Sequence, residues 1–219
     1  MNTIKARFTQ TIYTNPELYL IIDGKPIVQY IDTYVTEGKI PILEKMGSML
    51  GLLPAWSGAL NFTADNLFIW QLVDAEETLN VPILVCEDDC DLDCIVILAQ
   101  IRKTKETVYW DKIGLLKHEN ASLSDEIKAG ILYVEAYTES DWEKYGGTLA
   151  WENPQSKVFE QWCAANWTEE LLRRRQNYTK PYMQNEENID WIEQVNWSFD
   201  ATEYQKAVHV YRKFLPSSS

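Results

Sequence analysis

The segment VPILVCEDDCDLDCIVILAQI, residues 81–101, places two apolar runs on either side of a short acidic stretch. Val81–Cys86 and Cys94–Ile101 are rich in β-branched residues, which favour strands. Pro82 falls near the start of the first run, where a missing amide donor is tolerated. The connection is too short for a crossover, so we expect the two strands to be antiparallel neighbours.

Strand patterns on both sides of this hairpin extend it into a sheet. They lie at Ile4–Tyr13, Leu18–Ile22, Leu67–Val73, Thr107–Leu116 and Ile131–Tyr137. The first alternates between apolar and polar residues, and Leu67–Val73 is apolar on both faces, as in a covered strand. Short links between the successive central strands predict an antiparallel meander of roughly five to seven strands.

Helical patterns are found near the N-terminus and after Thr138. Pro26 suits the first position of a short helix whose apolar stripe runs from Ile27 to Val35. Further helices are predicted at Met46–Leu50, from Thr168 to a stop at Pro181, at Asn185–Val195, and after a capping box at Asp200–Glu203. We therefore predict an α+β fold in which the N-terminal helix and the C-terminal helices pack on the sheet.

The chain is expected to form a single domain over residues 1–219. At this length a folded chain buries about 70% of the surface that its unfolded form exposes, so a full core is possible without metals or disulfides. No internal repeat and no linker rich in Gly, Pro or Ser divides it. Residues 1–138 are predicted to be strand-rich and residues 139–215 to be helical.

The charge balance narrows the classes of function. The chain has 33 Asp and Glu residues against 20 Lys and Arg residues, a formal net charge of −13. This balance argues against a nucleic-acid binder, which needs clustered basic residues, and suits a protein that docks on a basic partner. No segment has the length and apolarity of a membrane span, and no targeting segment is visible, so we expect a cytoplasmic protein without membrane partners.

Four cysteines are present, and three of them are evenly spaced at Cys86, Cys90 and Cys94. Such spacing is compatible with metal binding, but no Cys or His supplies a fourth ligand nearby. Cys86 and Cys94 also fall in strand patterns, where a free cysteine behaves as a small apolar residue. We therefore expect free cysteines in a reducing compartment, with no metal and no cofactor.

The acidic stretch places five carboxylates within seven residues, and these are the predicted partner-binding residues: Glu87, Asp88, Asp89, Asp91 and Asp93. Three interpretations are open. The carboxylates could bind Ca²⁺ or Mg²⁺, although the usual calcium-loop pattern is absent. They could form an acidic patch that meets a basic partner. They could also be a solvated turn whose charges protect a sheet edge from mispairing.

No known catalytic motif for hydrolase, protease or nucleotide chemistry is present, so we predict no catalytic residues and a protein that is not an enzyme. His118, beside Glu119, could be a general base or a surface loop residue, and His209 is predicted on the flank of the last helix. The alternatives are a scaffold module and a carboxylate-dependent hydrolase, for which a carbohydrate is the candidate substrate. The hydrolase would have two carboxylates about 5–10 Å apart in a pocket with Trp walls.

Several motifs together resemble a family of uncharacterised bacterial proteins over about Phe8 to Ile192. The motifs are Pro82–Cys86 with the acidic turn and Cys94-Ile-Val, Val108–Leu116 with His118-Glu-Asn120, Asn166–Glu170, Arg173-Arg-Arg and Asn177–Tyr182. Proteins of this appearance are similar to immunity proteins of polymorphic-toxin and contact-dependent inhibition systems. The resemblance implies a binding protein that blocks a cognate toxin domain, although 219 residues is long for a single-domain immunity protein.

Overall fold

The computed structural model describes residues 1–10, 16–40, 51–117, 122–145 and 157–215. Over these residues the protein has the predicted α+β fold with antiparallel sheets. The strands are β1 Ile4–Thr9, β2 Glu17–Ile22, β3 Lys25–Pro26, β4 Leu53–Pro54, β5 Leu79–Val85, β6 Val96–Lys103, β7 Thr107–Leu116, β8 Ile189–Glu193 and β9 Trp197–Asp200. The helices are α1 Ile27–Thr36, α2 Thr63–Asp74, α3 Leu123–Lys128, α4 Glu139–Tyr145, α5 Lys157–Ala165, α6 Trp167–Arg174, α7 Lys180–Gln184 and α8 Ala201–Lys213.

The strands form two sheets. A small sheet has the order β1-β2-β3, and a larger one has the order β4-β5-β6-β7-β8, with β9 also paired to β7. The predicted hairpin is confirmed: β5 and β6 are antiparallel neighbours, with Val85 opposite Val96. The long strand β7 continues the meander and takes β8 and β9 as successive partners along its other edge.

The first and last helices cover these sheets as predicted. Helix α1 buries Ile27, Val28, Ile31 and Tyr34 and packs against β2. Helix α8 is capped at its N-terminus by Asp200, whose side chain accepts hydrogen bonds from the amides of Thr202 and Glu203. The buried face of α8 packs on β1, β7 and β9, so one helix covers strands from both ends of the chain.

The two ends of the chain also meet directly. The Asn2 amide donates to the Ser198 carbonyl at 2.6 Å, and the Ser198 amide donates to the Asn2 side chain at 3.1 Å. The rings of Phe8 and Phe214 are in edge-to-face contact with centroids 5.1 Å apart. The N-terminal strand is therefore held by segments nearly two hundred residues further along the chain.

Two strand predictions were wrong. Leu67–Val73 belongs to helix α2, which buries Phe68, Ile69, Leu72 and Val73. The prediction failed because a short run that is apolar on both faces does not distinguish a covered strand from a buried helix. The segment Ile131–Tyr137 forms no strand and contains a 3₁₀ turn at Val134–Ala136. Its apolar residues contribute to a second core instead of a sheet face.

Two helix predictions also need correction. Pro181 does not end the helix that begins near Thr168. The backbone continues through a π-helical turn at Arg175–Thr179 into α7. Pro181 lies in the first turn of α7, where its missing backbone N–H is tolerated. Asn185–Val195 is not a helix but a 3₁₀ turn followed by β8, because pairing with β7 stabilises the extended form. The predicted helix at Met46–Leu50 lies outside the described residues.

The buried residues form two clusters. The larger one fills the space between the sheets, α1, α2 and α8. The smaller one lies beneath the helices of the C-terminal half and includes Leu123, Ile127, Phe159 and Leu171. Helix α6 and the π-helical turn that follows it pack against α2, so this segment ties the helical part to the sheet.

Candidate functional site at the acidic turn

The acidic turn, residues 86–95, connects β5 to β6 and is held at both ends. At its base the Cys86 amide donates to the Ile95 carbonyl at 3.1 Å, which continues the hydrogen bonding of the two strands. At its tip the Asn61 side chain donates to the Asp89 carbonyl at 2.5 Å, and the Asn61 amide donates to the Cys90 carbonyl at 2.9 Å. The turn therefore presents its side chains from a fixed backbone.

Three of the five predicted binding residues form the outer face of this turn. Glu87, Asp88 and Asp89 are exposed, and none of the ion pairs among the described residues involves them. Glu17 also feels this charge: its pKa is raised, first by burial and second by the negative charge of Glu87. The outer face is thus a group of acidic side chains that form no ion pair with a basic residue of the described part of the chain.

The other two predicted binding residues, Asp91 and Asp93, turn inward, so the expectation that all five charges project together is wrong for them. Asp91 is only 9% exposed and accepts a hydrogen bond from the Asp93 amide at 2.9 Å. Burial, followed by the charges of Asp93 and Asp65, raises the pKa of Asp91 to about 6 despite that hydrogen bond. These two carboxylates hold the turn together and are not available on its surface.

Asp93 belongs to a buried ion-pair group with Arg175 and Asp65. Arg175 Nη1 lies 2.6 Å from Asp93 Oδ1, and Arg175 Nε lies 2.7 Å from Asp65 Oδ1. Asp93 also accepts hydrogen bonds from the Ser122 hydroxyl and the Ser124 amide. Burial alone would raise the pKa of Asp93, but the Arg175 charge and the hydrogen bonds from Arg175 and Ser124 lower it, so Asp93 is held in its ionised form.

The two preceding arginines are buried in the same way. Arg173 pairs with Asp141 at 3.1 Å and also with Glu170, while Arg174 pairs with Glu170 at 2.9 Å. The run Arg173–Arg175 thus lies where α6 continues into the π-helical turn. Each of its three guanidinium groups pairs with a buried carboxylate. Paired in this way, these basic residues have a structural role and are not a surface patch.

Three side chains of the turn bring possible metal ligands together. The Sγ atoms of Cys86 and Cys94 and a carboxylate oxygen of Asp89 all lie within 4.8 Å of one another. Cys90, in the same turn, donates its thiol to the Glu87 carbonyl at 2.9 Å. The cysteine spacing alone did not indicate Asp89 as a further ligand, because the conformation of the turn is what brings Asp89 close to Cys86 and Cys94. Cys163 lies apart from this group, in the smaller core.

The remaining candidates are placed as follows. His209 is exposed on α8, as predicted, whereas His118 lies outside the described residues. Of the tryptophans in the C-terminal part, Trp142, Trp162, Trp167 and Trp191 are half-buried and Trp197 is buried; Trp151 lies outside the described residues. These rings pack on neighbouring aromatic side chains or the core, and Trp191 and Trp197 do so from strands β8 and β9.

One surface cavity holds a pair of carboxylates, as the hydrolase alternative requires. It has a volume of about 300 Å³ and lies between α4 and α6, with Asp141 and Glu169 in its lining. Both carboxylates pair with Arg173, and none of the described residues that line the cavity is a tryptophan. Hydrogen bonds and the Arg173 charge lower the pKa of Asp141 against the effect of burial, so Asp141 does not have the raised pKa of the general acid in glycoside hydrolysis.

Comparison of the chain with protein-family models, curated proteins and solved structures gave no significant match. The resemblance to immunity proteins therefore remains a prediction from the sequence motifs. No helix in the described part of the chain has the length and apolarity needed to cross a bilayer.

Proposed function

We propose that the protein is a cytoplasmic binding protein that recognises a basic protein partner through the outer face of the acidic turn, and that this partner is a bacterial toxin domain. The observation that carries the proposal is the contrast within one turn. Asp93 is matched to a buried arginine, whereas Glu87, Asp88 and Asp89 are exposed and have no basic partner among the described residues.

The arrangement favours binding because the carboxylates are already fixed in place. The Asn61 hydrogen bonds hold the tip of the turn, so a partner would not have to order this backbone when it binds. Adjacent carboxylates repel one another, and Lys or Arg side chains from a partner would relieve that repulsion. The outer face is therefore better matched to a basic protein surface than to an uncharged one.

The net charge acts in the same direction at longer range. A chain with a formal charge of −13 attracts a basic partner before contact, which increases the rate of association. Many toxin domains degrade nucleic acids and have basic active faces, so an acidic protein that covers such a face would block substrate access directly. This function requires no catalytic residue, metal or cofactor.

The test uses the reading frame next to this one in the genome, where an immunity protein would be encoded beside its toxin. The basic domain encoded there is expressed in bacterial cells with and without the protein described here. We expect growth to stop with the domain alone and to resume on co-expression, and the purified pair to elute as one complex. A neighbouring frame without a basic domain, or cells that die despite co-expression, would contradict the proposal.

A further inference from the structure

We propose that Cys86, Asp89 and Cys94 bind a zinc ion, with Cys90 as the fourth ligand. This inference goes beyond the proposed function and replaces the expectation, drawn from the missing fourth Cys or His ligand and the strand placement of Cys86 and Cys94, that the turn holds no metal. It depends on the placement of three gathered side chains, with Cys90 in the same turn, and not on the identity of any partner.

The three gathered ligand atoms are close to the geometry that zinc requires. Zinc binds thiolate sulfur at about 2.3 Å and carboxylate oxygen at about 2.0–2.2 Å in a tetrahedral arrangement. These bond lengths put ligand atoms about 3.5–3.8 Å apart, while the Cys86, Asp89 and Cys94 atoms already lie within 4.8 Å of one another. Closing around an ion therefore needs only side-chain movements on the order of 1 Å.

The backbone is organised for such a site before any ion binds. Cys86 and Cys94 adjoin the ends of β5 and β6, and the Cys86 amide is bonded across the hairpin. Asp89 comes from the opposite side, where Asn61 holds its carbonyl. Ligands from the base and the tip of one fixed turn thus converge on the same point.

Cys90 is the natural fourth ligand because it lies within the same turn. Its backbone has a positive φ of 48°, an unusual value for a residue with a side chain, and the strained turn places its thiol 2.9 Å from the Glu87 carbonyl. Its sulfur is not among the three gathered ligand atoms, so Cys90 would have to leave that carbonyl by rotation of its side chain in order to bind the ion.

The donor set and the local charge favour zinc over calcium or magnesium. Thiolates are soft ligands that select zinc, whereas calcium takes six to eight oxygen atoms. The inward carboxylate Asp93 is already bound by Arg175, so it is not available to complete an oxygen site. Glu87 and Asp88 add negative charge around the site without contributing ligands. Binding would release the thiol protons to solvent as the sulfur atoms coordinate the ion.

Cobalt(II) is the probe for the first test, because tetrahedral cobalt–thiolate complexes absorb visible light. The full-length chain is purified under reducing conditions, freed of metal and titrated with Co²⁺ and then Zn²⁺. We expect cobalt–thiolate bands that saturate at one ion per chain and disappear as zinc displaces cobalt. A reduced chain that gives no such bands, or that contains a Cys86–Cys94 disulfide instead of thiols, would overturn the proposal.

Two matched pairs of variants identify the ligands. Asp89→Asn and Asp88→Asn change the charge equally at adjacent exposed positions, but only Asp89 reaches the cysteines. We expect Asp89→Asn to weaken zinc binding by at least about tenfold, since even outer-shell substitutions cost 10–100-fold, and Asp88→Asn to leave it nearly unchanged. Likewise Cys94→Ser should abolish the thiolate bands, while Cys163→Ala should keep them. Equal affinities within each pair would overturn the assignment, and circular dichroism checks that each variant is folded.

Discussion

The position of a single residue, Arg175, explains how an acidic chain tolerates carboxylates in its interior. Its side chain is only 1% exposed, and its guanidinium pairs with Asp65 from α2 and Asp93 from the acidic turn. A planar group with several fixed donors can satisfy two carboxylates at once, which a lysine ammonium does less well. Arg175 thereby connects the π-helical turn to two separate elements of the sheet-bearing half.

Replacement of Arg175 by methionine is expected to destabilise the protein strongly, because it leaves Asp65 and Asp93 buried without a counter-charge. Removing one partner of a buried ion pair typically costs about 3–5 kcal/mol. The free energy of unfolding, measured by urea denaturation, should fall by about that amount. Arg102→Met is the control: Arg102 is 43% exposed and pairs with Asp111, so its loss should cost less than about 1 kcal/mol. Equal losses in the two variants would show that the buried group is not a stabilising unit.

The inward or outward orientation of each carboxylate in the acidic turn could not be predicted from the sequence. Asp88 and Asp93 have the same side-chain chemistry and lie five positions apart, yet one is exposed and the other is bound to an arginine 82 residues away. The acidic turn itself was predictable from the two apolar runs that flank it. Which of its carboxylates face inward depends on long-range packing that no local pattern records, and the same is true of Asp89 beside the cysteines.

At the scale of elements, β7 is the strand on which the larger sheet depends. It pairs with β6 along one edge and with β8 and β9 along the other, with an irregular register at Ile113 and Gly114. Gly114 lies opposite Trp191, and a Cβ built on it would come 2.8 Å from the Trp191 ring and still closer to Ile189. Only a residue without a side chain fits here without displacing the Ile189 and Trp191 side chains of β8.

Gly114→Ala is therefore expected to loosen the pairing of β7 with β8. Overpacking by one methyl group in a well-packed position typically costs about 1–3 kcal/mol, which thermal or urea unfolding would measure. The double variant Gly114→Ala with Ile189→Ala frees space beside the new methyl group, so its loss should be smaller than the sum of the two single losses. Strictly additive losses would show that the two side chains do not compete for the same space.

Elements with alternating patterns and short turns were predicted well, and those with ambiguous periods were not. The strands β2, β5, β6 and β7 and the helices α1 and α8 follow from local patterns and caps. The pattern in α2 failed because a seven-residue apolar run fits both a covered strand and a buried helix. The β8 segment failed because its extended form depends on β7, more than seventy residues earlier in the chain.

For the molecule as a whole, the distribution of charge matters more than its total. Part of the negative charge is neutralised internally by Arg173, Arg174 and Arg175, while the outer face of the acidic turn keeps its charge exposed. A basic partner approaching this protein would therefore be guided by a local field as well as by the net charge. The two contributions can be separated by removing equal charge at two different places.

The variant Glu87→Gln with Asp88→Asn is expected to slow association with the basic toxin domain encoded by the neighbouring frame, by about two- to tenfold at low ionic strength and less at high salt. Its control, Glu139→Gln with Glu143→Gln on α4, makes the same change in net charge at exposed residues that form no ion pair among those described. Association rates from stopped-flow mixing provide the measurement. Identical rates for both variants would show that the outer face does not steer the partner locally. Asp89 is left intact so that the proposed metal ligands are unaffected.

The contact between Asn2 and Ser198 has a consequence for the timing of synthesis. The two residues are 196 positions apart, and α8, which covers β1, follows immediately after Ser198. A ribosome that adds 5–20 residues per second needs on the order of 10–40 s to make the intervening chain. During that interval the first strand has emerged without its native cover. The nascent protein thus depends on its last helix to finish the structure that its first residues begin.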